Sequence, residues 1–432
     1  MRGLLSVAIS GVGVLSPAGR GVEPLASVIR DGRCLVREDD GLAGLGTRAR
    51  LAARVGGVDD AFASLPIDPA AHDFFGRYAR IGAIAALDAL ASADRGAASP
   101  AAVGRVIVAS AVGPMGELEA CFRDTLSGER HPRRTHAVTR VTPSFLPTFL
   151  AGLTGAPRGG HVVSCACVGA LVALRDAVEL VASGREDACL VGAVDEDAPS
   201  TWWAFDAQRL LGQARTPEAR ARALSGEPGG FAPSGGAAFF VVESERSALA
   251  RGRSARDLVR LRGAFVRAQG AGASLIAFPK AAYRAVLDDA RSAGPRPDLV
   301  LAHAPPTVAD ADELRLLDDV LGVGGAGTPV RSYKSLIGYA LGAAAAIDVA
   351  LGAQQILTGE LLPNDHTTPL GRDGAAATGR RLAPVVAPFA HLLGGDAERR
   401  PVRRVLKTAY AQGGVAGAAL LERCDVEDGA RP

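Results

Sequence analysis

The sequence contains few cysteines, few aromatic residues and almost no excess of one charge. Six cysteines in 432 residues are too sparse for a disulfide scaffold, so we predict a cytoplasmic protein in a reducing environment. Lysine and arginine total 48 against 46 aspartate and glutamate residues, which leaves a net charge of +2. A nearly neutral chain lacks the basic surface expected of a protein that binds nucleic acid or an anionic membrane.

Long hydrophobic runs are also missing, because no apolar stretch approaches the roughly 18 residues that a membrane-spanning helix needs. The apolar N-terminal segment 4–15 has the composition of a secretory signal, but two serines and two glycines interrupt it. We therefore predict a β-strand in this segment, ending in a Ser-Pro-Ala-Gly turn.

A hydrophobic content of 48% and a charged content of 22% exclude general disorder. At ~100–200 residues per domain, the length predicts two to four domains or one duplicated α/β unit. The 53 glycines and the abundant alanines favour closely packed α/β layers with small residues where helices meet sheets.

The chain alternates predicted strands and helices. A strand at 161–167, a helix at 168–184 and a strand at 187–196 predict a parallel βαβ unit. The helix at 340–359 is apolar on all sides, which predicts a buried helix. Further strands are predicted at 105–113, 229–243 and 299–304, a strand–turn–strand at 402–422, helices at 77–92, 145–161, 281–294 and 309–322, a loop at 370–400, and a boundary between two halves at 244–253.

Cys167 is the candidate nucleophile, since it follows a predicted strand and directly precedes a predicted helix. The N–H groups and the dipole at a helix N-terminus favour a thiolate and can hold an oxyanion. The alternative is that Cys165 and Cys167 are small core residues, as free cysteines usually are. A metal site is disfavoured because no second pair of ligands follows the Cys-x-Cys motif.

Three other residues carry weaker signals. His303 ends a predicted strand, where α/β folds place functional side chains, although a structural histidine is an open alternative. Asp348 is an acid in an otherwise apolar helix, and a buried carboxylate needs a partner. Lys334, which precedes a glycine turn and that helix, is a reasonable partner.

Seven segments in order along the chain carry a resemblance to one family. They are VAISGVGVLSPAGRG, RYARIGAIAALDAL, SCACVGALVALRDAVELVASGREDACLVGAVDE, GGFAPSGGAAFFVVE, LAHAPPT, YKSLIGYALGAAAAID and AYAQGGVAGAALL. The arrangement resembles the β-ketoacyl-acyl carrier protein synthases of the thiolase fold. The resemblance implies a five-layered α-β-α-β-α fold of two similar halves, here 1–245 and 246–432.

The resemblance also implies site residues, position by position. Cys167 falls on the family's nucleophile and His303 on its first catalytic histidine. Lys334 falls on the family's lysine, and Asp348 falls where the family has an acid, usually Glu. The second catalytic histidine is absent, because Tyr339 occupies its place.

Other positions depart from the family's pattern. After His303 the Gly-Thr-Gly-Thr run is replaced by 304–307, and Gly235 stands where a glutamate is usual. In the closing turn the family's Phe-Gly-Phe-Gly-Gly becomes Tyr410, Ala411, Gln412, Gly413 and Gly414. We assign Tyr410, Gln412, Gly413 and Gly414 to the substrate pocket, with Gln412 replacing the aromatic residue that gates the acyl pocket in the family.

Three hypotheses on function follow from this resemblance. The first is an altered ketosynthase that transfers or condenses acyl chains, with a Cys-His-Tyr site in fatty acid or polyketide biosynthesis. The second is a non-catalytic partner similar to the chain-length factors of type II polyketide synthases, although such partners typically lack the cysteine. The third is a binding or structural subunit. The expected partners are an acyl carrier protein and a second ketosynthase subunit in a homodimer or heterodimer, with no cofactor and no metal.

Overall fold

The computed structural model describes residues 4–94, 103–128, 136–226, 229–270, 277–365, 384, 386–393, 398–399 and 401–424. The first half contains β1 (Val7–Ser16), β2 (Gly19–Arg20), α1 (Val22–Arg30), β3 (Arg37–Glu38), α2 (Asp40–Gly44), β4 (Leu51–Ala52), α3 (Val58–Ala63), α4 (Arg77–Ser92), β5 (Arg105–Ala109), α5 (Met115–Ser127), α6 (Ala137–Val141), α7 (Phe145–Thr154), β6 (Gly160–Val163), α8 (Gly169–Ala182), β7 (Ala188–Asp195), α9 (Pro199–Ala207), β8 (Gly236–Ser244) and α10 (Glu245–Ala250). The second half contains β9 (Val259–Ala268), α11 (Lys280–Ala293), β10 (Leu299–Leu301), α12 (Asp310–Leu321), α13 (Val323–Ala326), β11 (Val330–Arg331), α14 (Lys334–Ile337), α15 (Ala344–Thr358), β12 (Glu360–Leu361), α16 (Ala390–Leu393), β13 (Glu398–Arg399), β14 (Arg404–Ala411) and β15 (Val415–Arg423).

The strands form two five-stranded sheets, β11-β10-β14-β15-β9 and β1-β8-β7-β5-β6, which are joined where β9 pairs with β1. Counted from this junction, each sheet places its first, last, fourth, second and third strand in that order, with the same parallel and antiparallel pairings. Among the described residues, the pairs that join the sheets are Ala8 with Arg260 and Ile9 with Val259. The topology therefore confirms two similar halves, while the boundary at 245/246 stays a prediction.

Helices and sheets alternate in five layers. α4 and α7 cover the outer face of the first sheet, and α11 covers the outer face of the second with α12 packed beside it. α8 and α15 lie between the two sheets and contact both. The predicted α-β-α-β-α arrangement is confirmed, and its central layer holds the helices that follow Cys167 and Lys334 in sequence.

Two glycines of β1 allow α4 to pack directly against this strand. A Cβ atom at Gly13 would collide with the carbonyl oxygen of Ala85, and one at Gly11 would collide with that of Ala89. Small residues at this contact let the helix axis approach the sheet more closely than larger side chains would allow. The prediction of small residues at helix–sheet contacts holds at this position.

The apolar helix α15 of the second half contradicts one prediction made from the sequence. Residues 341–358 form an 18-residue helical stretch that is apolar and long enough to cross a membrane by length and composition, and 83% of it is buried within the protein. The prediction that no apolar stretch approaches the roughly 18 residues of a membrane-spanning helix was therefore wrong. Both sheets flank α15, so burial on all sides explains its composition.

Most predicted elements appear near their expected positions, with three differences. The strand predicted at 161–167 ends at Val163, and residues 166–168 form a 3₁₀ turn that leads into α8. β6 and β7 are parallel as predicted, but β5 lies between them. The loop predicted at 370–400 lies largely outside the described residues, and its described part includes a short helical segment at 387–393.

Candidate active site

Cys167 lies in a sharp turn between β6 and α8. Ala166, the residue before it, has a φ of 43°, which is in the left-handed region that residues other than glycine rarely adopt. Such a conformation costs on the order of 1–3 kcal/mol and concentrates at functional sites. The turn places Cys167 directly before the N-terminus of α8, as predicted, with its side chain partly buried.

The thiol is not activated by this position alone. Burial raises the pKa of Cys167 to about 11, against the smaller lowering effects of a hydrogen bond with Tyr339 and of the Lys334 ammonium. The prediction that the helix N-terminus favours a thiolate is therefore outweighed by desolvation. At neutral pH the sulfur carries its proton.

His303 follows β10 and is held by the carboxylate of Glu313. The backbone N–H groups of His303 and Ala304 each donate to one carboxylate oxygen at 2.8 Å. Ala304 has a φ of 26°, so this turn too adopts a conformation that is unusual for alanine. The two hydrogen bonds fix the end of the strand and thereby the origin of the imidazole side chain.

The imidazole of His303 is buried and faces two tyrosines. Its Nε2 lies 3.4 Å from the hydroxyl oxygen of Tyr339, and its ring centroid lies 4.4 Å from that of Tyr410. Burial and the nearby ammonium groups of Lys334 and Lys407 hold the pKa of His303 well below its usual value. The ring is therefore neutral at physiological pH, and its Nε2 can accept a hydrogen bond from Tyr339.

Tyr339 joins the nucleophile to the imidazole. Its backbone N–H donates to Ala232 at 2.9 Å, and its ring packs edge-on against Phe231. Its hydroxyl lies close to the thiol of Cys167 as well as near His303. Burial and the neighbouring Cys167 raise its pKa well above 10, so Tyr339 is a neutral phenol at physiological pH.

Asp348 pairs with Lys334, as the sequence predicted, and also with a second lysine. The Nζ of Lys334 lies 2.9 Å from Asp348 Oδ2, and the Nζ of Lys407 lies 2.6 Å from the same oxygen. Lys407 was not predicted as a site residue. The sequence offered a signal, since Lys407 directly follows the apolar pair 405–406 in the buried strand β14.

The closing turn contributes unequally to the site. Tyr410 reaches the ring of His303, whereas Gln412 is exposed and donates from its amide to Oε1 of Gln208 at 3.1 Å. Gly413 and Gly414 have φ values of 89° and 84°, so they form the tip of the hairpin between β14 and β15. The structure brings Tyr410 to the predicted catalytic residues and leaves the pocket assignment of the other three a prediction.

A second carboxylate near the nucleophile was also missed. Asp195 accepts hydrogen bonds from the hydroxyl of Ser110 at 2.6 Å, the N–H of Ala111 at 3.1 Å and the N–H of Gly342 at 2.8 Å. Burial raises its pKa to about 6, against the lowering effect of these hydrogen bonds. Because Ser110 and Gly342 belong to different halves, Asp195 connects the two halves beside Cys167.

Nothing in the described part of the chain suggests a metal centre. No group of three His, Cys, Asp or Glu side chains among these residues is placed to hold a metal ion.

Comparisons with known proteins assign this arrangement to a family. Residues 5–248 match the description "Beta-ketoacyl synthase, N-terminal domain" and residues 260–368 match "Beta-ketoacyl synthase, C-terminal domain". The tetracenomycin polyketide synthase ketoacyl synthase alpha subunit of Streptomyces glaucescens is 30% identical over 372 residues, which cover 83% of this chain and 86% of that protein.

Two solved structures share the fold. One is a type II PKS acyl-carrier protein in complex with its ketosynthase bound to the hexaketide, with a TM-score of 0.80 and 22% identity over 97% of this chain and 99% of that chain. The other is the ishigamide ketosynthase/chain length factor, with a TM-score of 0.80 and 21% identity over 97% and 99%. On the sequence matches, this chain belongs to the β-ketoacyl synthase family.

Proposed function

We propose that this protein transfers acyl chains in polyketide or fatty acid biosynthesis, with Cys167 taking the chain from an acyl carrier protein thioester. One observation carries the proposal: the hydroxyl of Tyr339 lies 3.4 Å from Nε2 of His303 and is close enough to the Cys167 thiol to lower its pKa. A nucleophile, a phenol and a neutral imidazole therefore form one connected chain. The relatives named as polyketide ketosynthases support the substrate class.

The proposed step exchanges one thioester for another. The sulfur of Cys167 bonds to the thioester carbonyl carbon, the bond from that carbon to the pantetheine sulfur breaks, and the thiol proton ends on the departing sulfur. Tyr339 and His303 relay this proton, because the neutral imidazole accepts at Nε2. The reaction requires no cofactor and no metal ion.

The pKa values constrain when the proton moves. Because burial raises the thiol pKa to about 11 and holds the His303 pKa well below its usual value, a thiolate–imidazolium pair is disfavoured in the free protein. We therefore expect the thiol to lose its proton as its bond to the carbonyl carbon forms, rather than beforehand.

Intact-mass measurement tests the proposal directly. The protein is incubated with a hexanoyl thioester of an acyl carrier protein, and we expect one hexanoyl group on the wild type and none on Cys167→Ala. Cys165→Ala is the matched control, since it removes the neighbouring thiol and should still be acylated. A wild type that acquires no acyl group would refute acyl transfer by this chain.

A second candidate function is that of a chain-length-factor-like partner of an active ketosynthase. The buried phenol of Tyr339, packed between Phe231 and His303, favours it, since a neutral phenol stabilises a developing enolate less well than an imidazolium. Co-expression with an intact ketosynthase tests this candidate. A stable heterodimer whose product length changes when Tyr410 is replaced would support it, and a protein that forms only homodimers would oppose it.

The first half is the proposed dimerisation surface for either function. In the described sheet, β6 is an edge strand with one side unpaired. In the same half, α5 buries none of its residues, and its Phe122 and Leu126 are 61% and 87% exposed. An open strand edge and exposed apolar side chains are both features of protein–protein interfaces. We place the assembly in the cytoplasm.

A further inference from the structure

Lysine is rare in this chain, and its positions are informative. Arginine supplies 45 of the 48 basic residues, and the three lysines are Lys280, Lys334 and Lys407. Two of these three meet at one buried carboxylate oxygen of Asp348. A lysine ammonium is compact and can lose its proton when buried, whereas the guanidinium of arginine is wider and always charged. The use of lysine at both positions indicates that this cluster needs an ammonium group.

The cluster of Lys334, Lys407 and Asp348 carries more positive than negative charge. The side chains of Lys334, Lys407 and Asp348 are 2%, 0% and 4% exposed. Each buried ion loses most of its favourable hydration, so an apolar residue would be the more stable occupant of a position that only fills space. The second ammonium therefore calls for a role beyond packing.

Lys407 is placed to act on His303. Besides Asp348, its Nζ contacts the carbonyl oxygen of Ala302 at 3.1 Å, one residue before His303. β10 and β14 are parallel neighbours, with Leu301 opposite Lys407. Three residues further along β14, the ring of Tyr410 packs against His303. β14 thus contacts the backbone before His303 through Lys407 and the imidazole ring itself through Tyr410.

We propose that Lys407 is a positioning residue for His303: its ammonium fixes the strand end that carries the imidazole and, with Lys334, surrounds the ring with positive charge. A protonated imidazole beside two ammonium groups is disfavoured, so Nε2 stays available as an acceptor for the hydroxyl of Tyr339. The consequence for acyl transfer rests on the proposed function, but the effect on His303 does not.

Electrostatics support this geometry. The pKa of His303 is lowered first by burial and then by Lys334 and Lys407. The pKa of Lys407 itself falls to about 8, because burial and Lys334 outweigh the attraction of Asp348. The charged and titratable groups around His303 and Lys407 are Asp348 on α15, Lys334 on α14, Glu313 on α12, Tyr410 on β14, Tyr339 after α14 and Cys167 before α8.

The test is the titration of His303 in the Lys407→Met variant. In this variant the ammonium of Lys334 remains paired with the carboxylate of Asp348. Protein labelled with ¹⁵N in its histidine rings is titrated by NMR, and His303→Gln assigns the resonance. We expect the proton affinity of His303 to rise about tenfold when the nearby ammonium is removed. Lys280→Met, which removes a surface lysine, should leave the titration unchanged.

Two further variants keep the test decisive. Lys334→Met also leaves a one-to-one pair with Asp348 and should raise the proton affinity of His303, so it replaces Lys407→Met if that variant does not fold. Lys407→Arg keeps the charge on a wider group, so a folded variant should still hold the proton affinity of His303 low, even where the packing of the cluster changes. A folded Lys407→Met or Lys334→Met with an unchanged His303 titration would overturn the proposal.

Acyl loading of Cys167, measured on the same proteins, separates this proposal from the proposed function. We expect Cys167 of Lys407→Met and Lys334→Met to be acylated more slowly than that of the wild type below pH 7. The difference in acylation rate should become smaller at higher pH. A wild type that never loads would refute acyl transfer and leave the His303 titration as the test of Lys407.

Discussion

The hydroxyl oxygen of Tyr339 lies 3.4 Å from Nε2 of His303, and the same hydroxyl is close to the thiol of Cys167. A phenol with a pKa well above 10 stays protonated at physiological pH, so Tyr339 can donate one hydrogen bond but cannot carry a positive charge. The site therefore retains what thioester exchange needs, a nucleophile with hydrogen-bonding partners. It offers weaker stabilisation to an enolate formed by decarboxylation.

Removing the hydroxyl of Tyr339 should make Cys167 less reactive. The hydrogen bond from Tyr339 lowers the pKa of the thiol, so Tyr339→Phe should raise that pKa further while keeping the ring. A hydrogen bond worth about 0.5–1.5 kcal/mol predicts alkylation of Cys167 by iodoacetamide at pH 8 that is slower by about two- to tenfold. Peptide mass spectrometry follows Cys167 separately from the other cysteines.

Tyr333→Phe is the matched control for this experiment. It removes another buried hydroxyl, which lies 3.4 Å from Oε1 of Gln355, and should leave the reactivity of Cys167 unchanged. Equal alkylation rates for wild type and Tyr339→Phe would show that the phenol does not act on the thiol.

Restoring a second imidazole should increase decarboxylation. Tyr339→His places a nitrogen donor opposite His303, and one added donor to a developing oxyanion is worth roughly 10²–10³ in rate. We expect release of CO₂ from a malonyl carrier-protein thioester to rise by about that factor over the wild type. An unchanged rate in a folded variant would indicate that the turn at 304–307, not Tyr339, limits decarboxylation.

The five-layered fold was predicted from the resemblance of seven ordered segments to one family, and local patterns in the sequence agree with it. Each local pattern is consistent with the layered fold. These patterns are the glycines at 11 and 13, the apolar helix at 344–358 and the alternation of strands and helices. The end of β6 was misplaced, since the residues up to Cys167 are compatible with a strand. Ala166 adopts a left-handed conformation because the chain has to turn into α8 at this point. The packing of the whole fold imposes this turn, and the local sequence does not indicate it.

The candidate site was predicted where a residue stands out in its local sequence. Cys167 and Asp348 interrupt apolar segments, and the pairing of Asp348 with Lys334 followed from charge alone. Asp195 was missed because its partners come from distant parts of the chain. Asp195 meets Gly342 across 147 residues, and no local pattern encodes such a contact.

The contact between β1 and α4 predicts a steric effect on stability. A methyl group at Gly13 would meet the backbone of α4 at Ala85 and Ala89, which cannot move as a flexible side chain can. We expect Gly13→Ala to lower the free energy of unfolding by about 1–3 kcal/mol. Gly44→Ala is the control, because nothing lies within 4 Å of a Cβ atom there. Equal urea midpoints for the two variants would contradict this account of the packing.

The buried carboxyl of Glu196 predicts a pH-dependent stability. Glu196 accepts from the N–H of Gly116 at 2.5 Å, and burial, with Glu117 and Asp197 nearby, raises its pKa to about 7 from an ordinary value of 4.5. The folded state therefore binds the proton more tightly than the unfolded state does. The resulting stability is fully present below about pH 4.5 and is lost as the pH rises through 7.

Glu196→Gln removes this titration while keeping an oxygen that accepts from Gly116. At pH 8 the variant should be more stable than the wild type by up to about 3 kcal/mol, since it avoids burying a negative charge. At pH 5 most of that difference should disappear, because the wild-type carboxyl is then protonated in the folded state. Urea unfolding of both proteins at the two pH values measures the effect. A difference in the free energy of unfolding that is the same at pH 5 and pH 8 would show that Glu196 does not titrate between them.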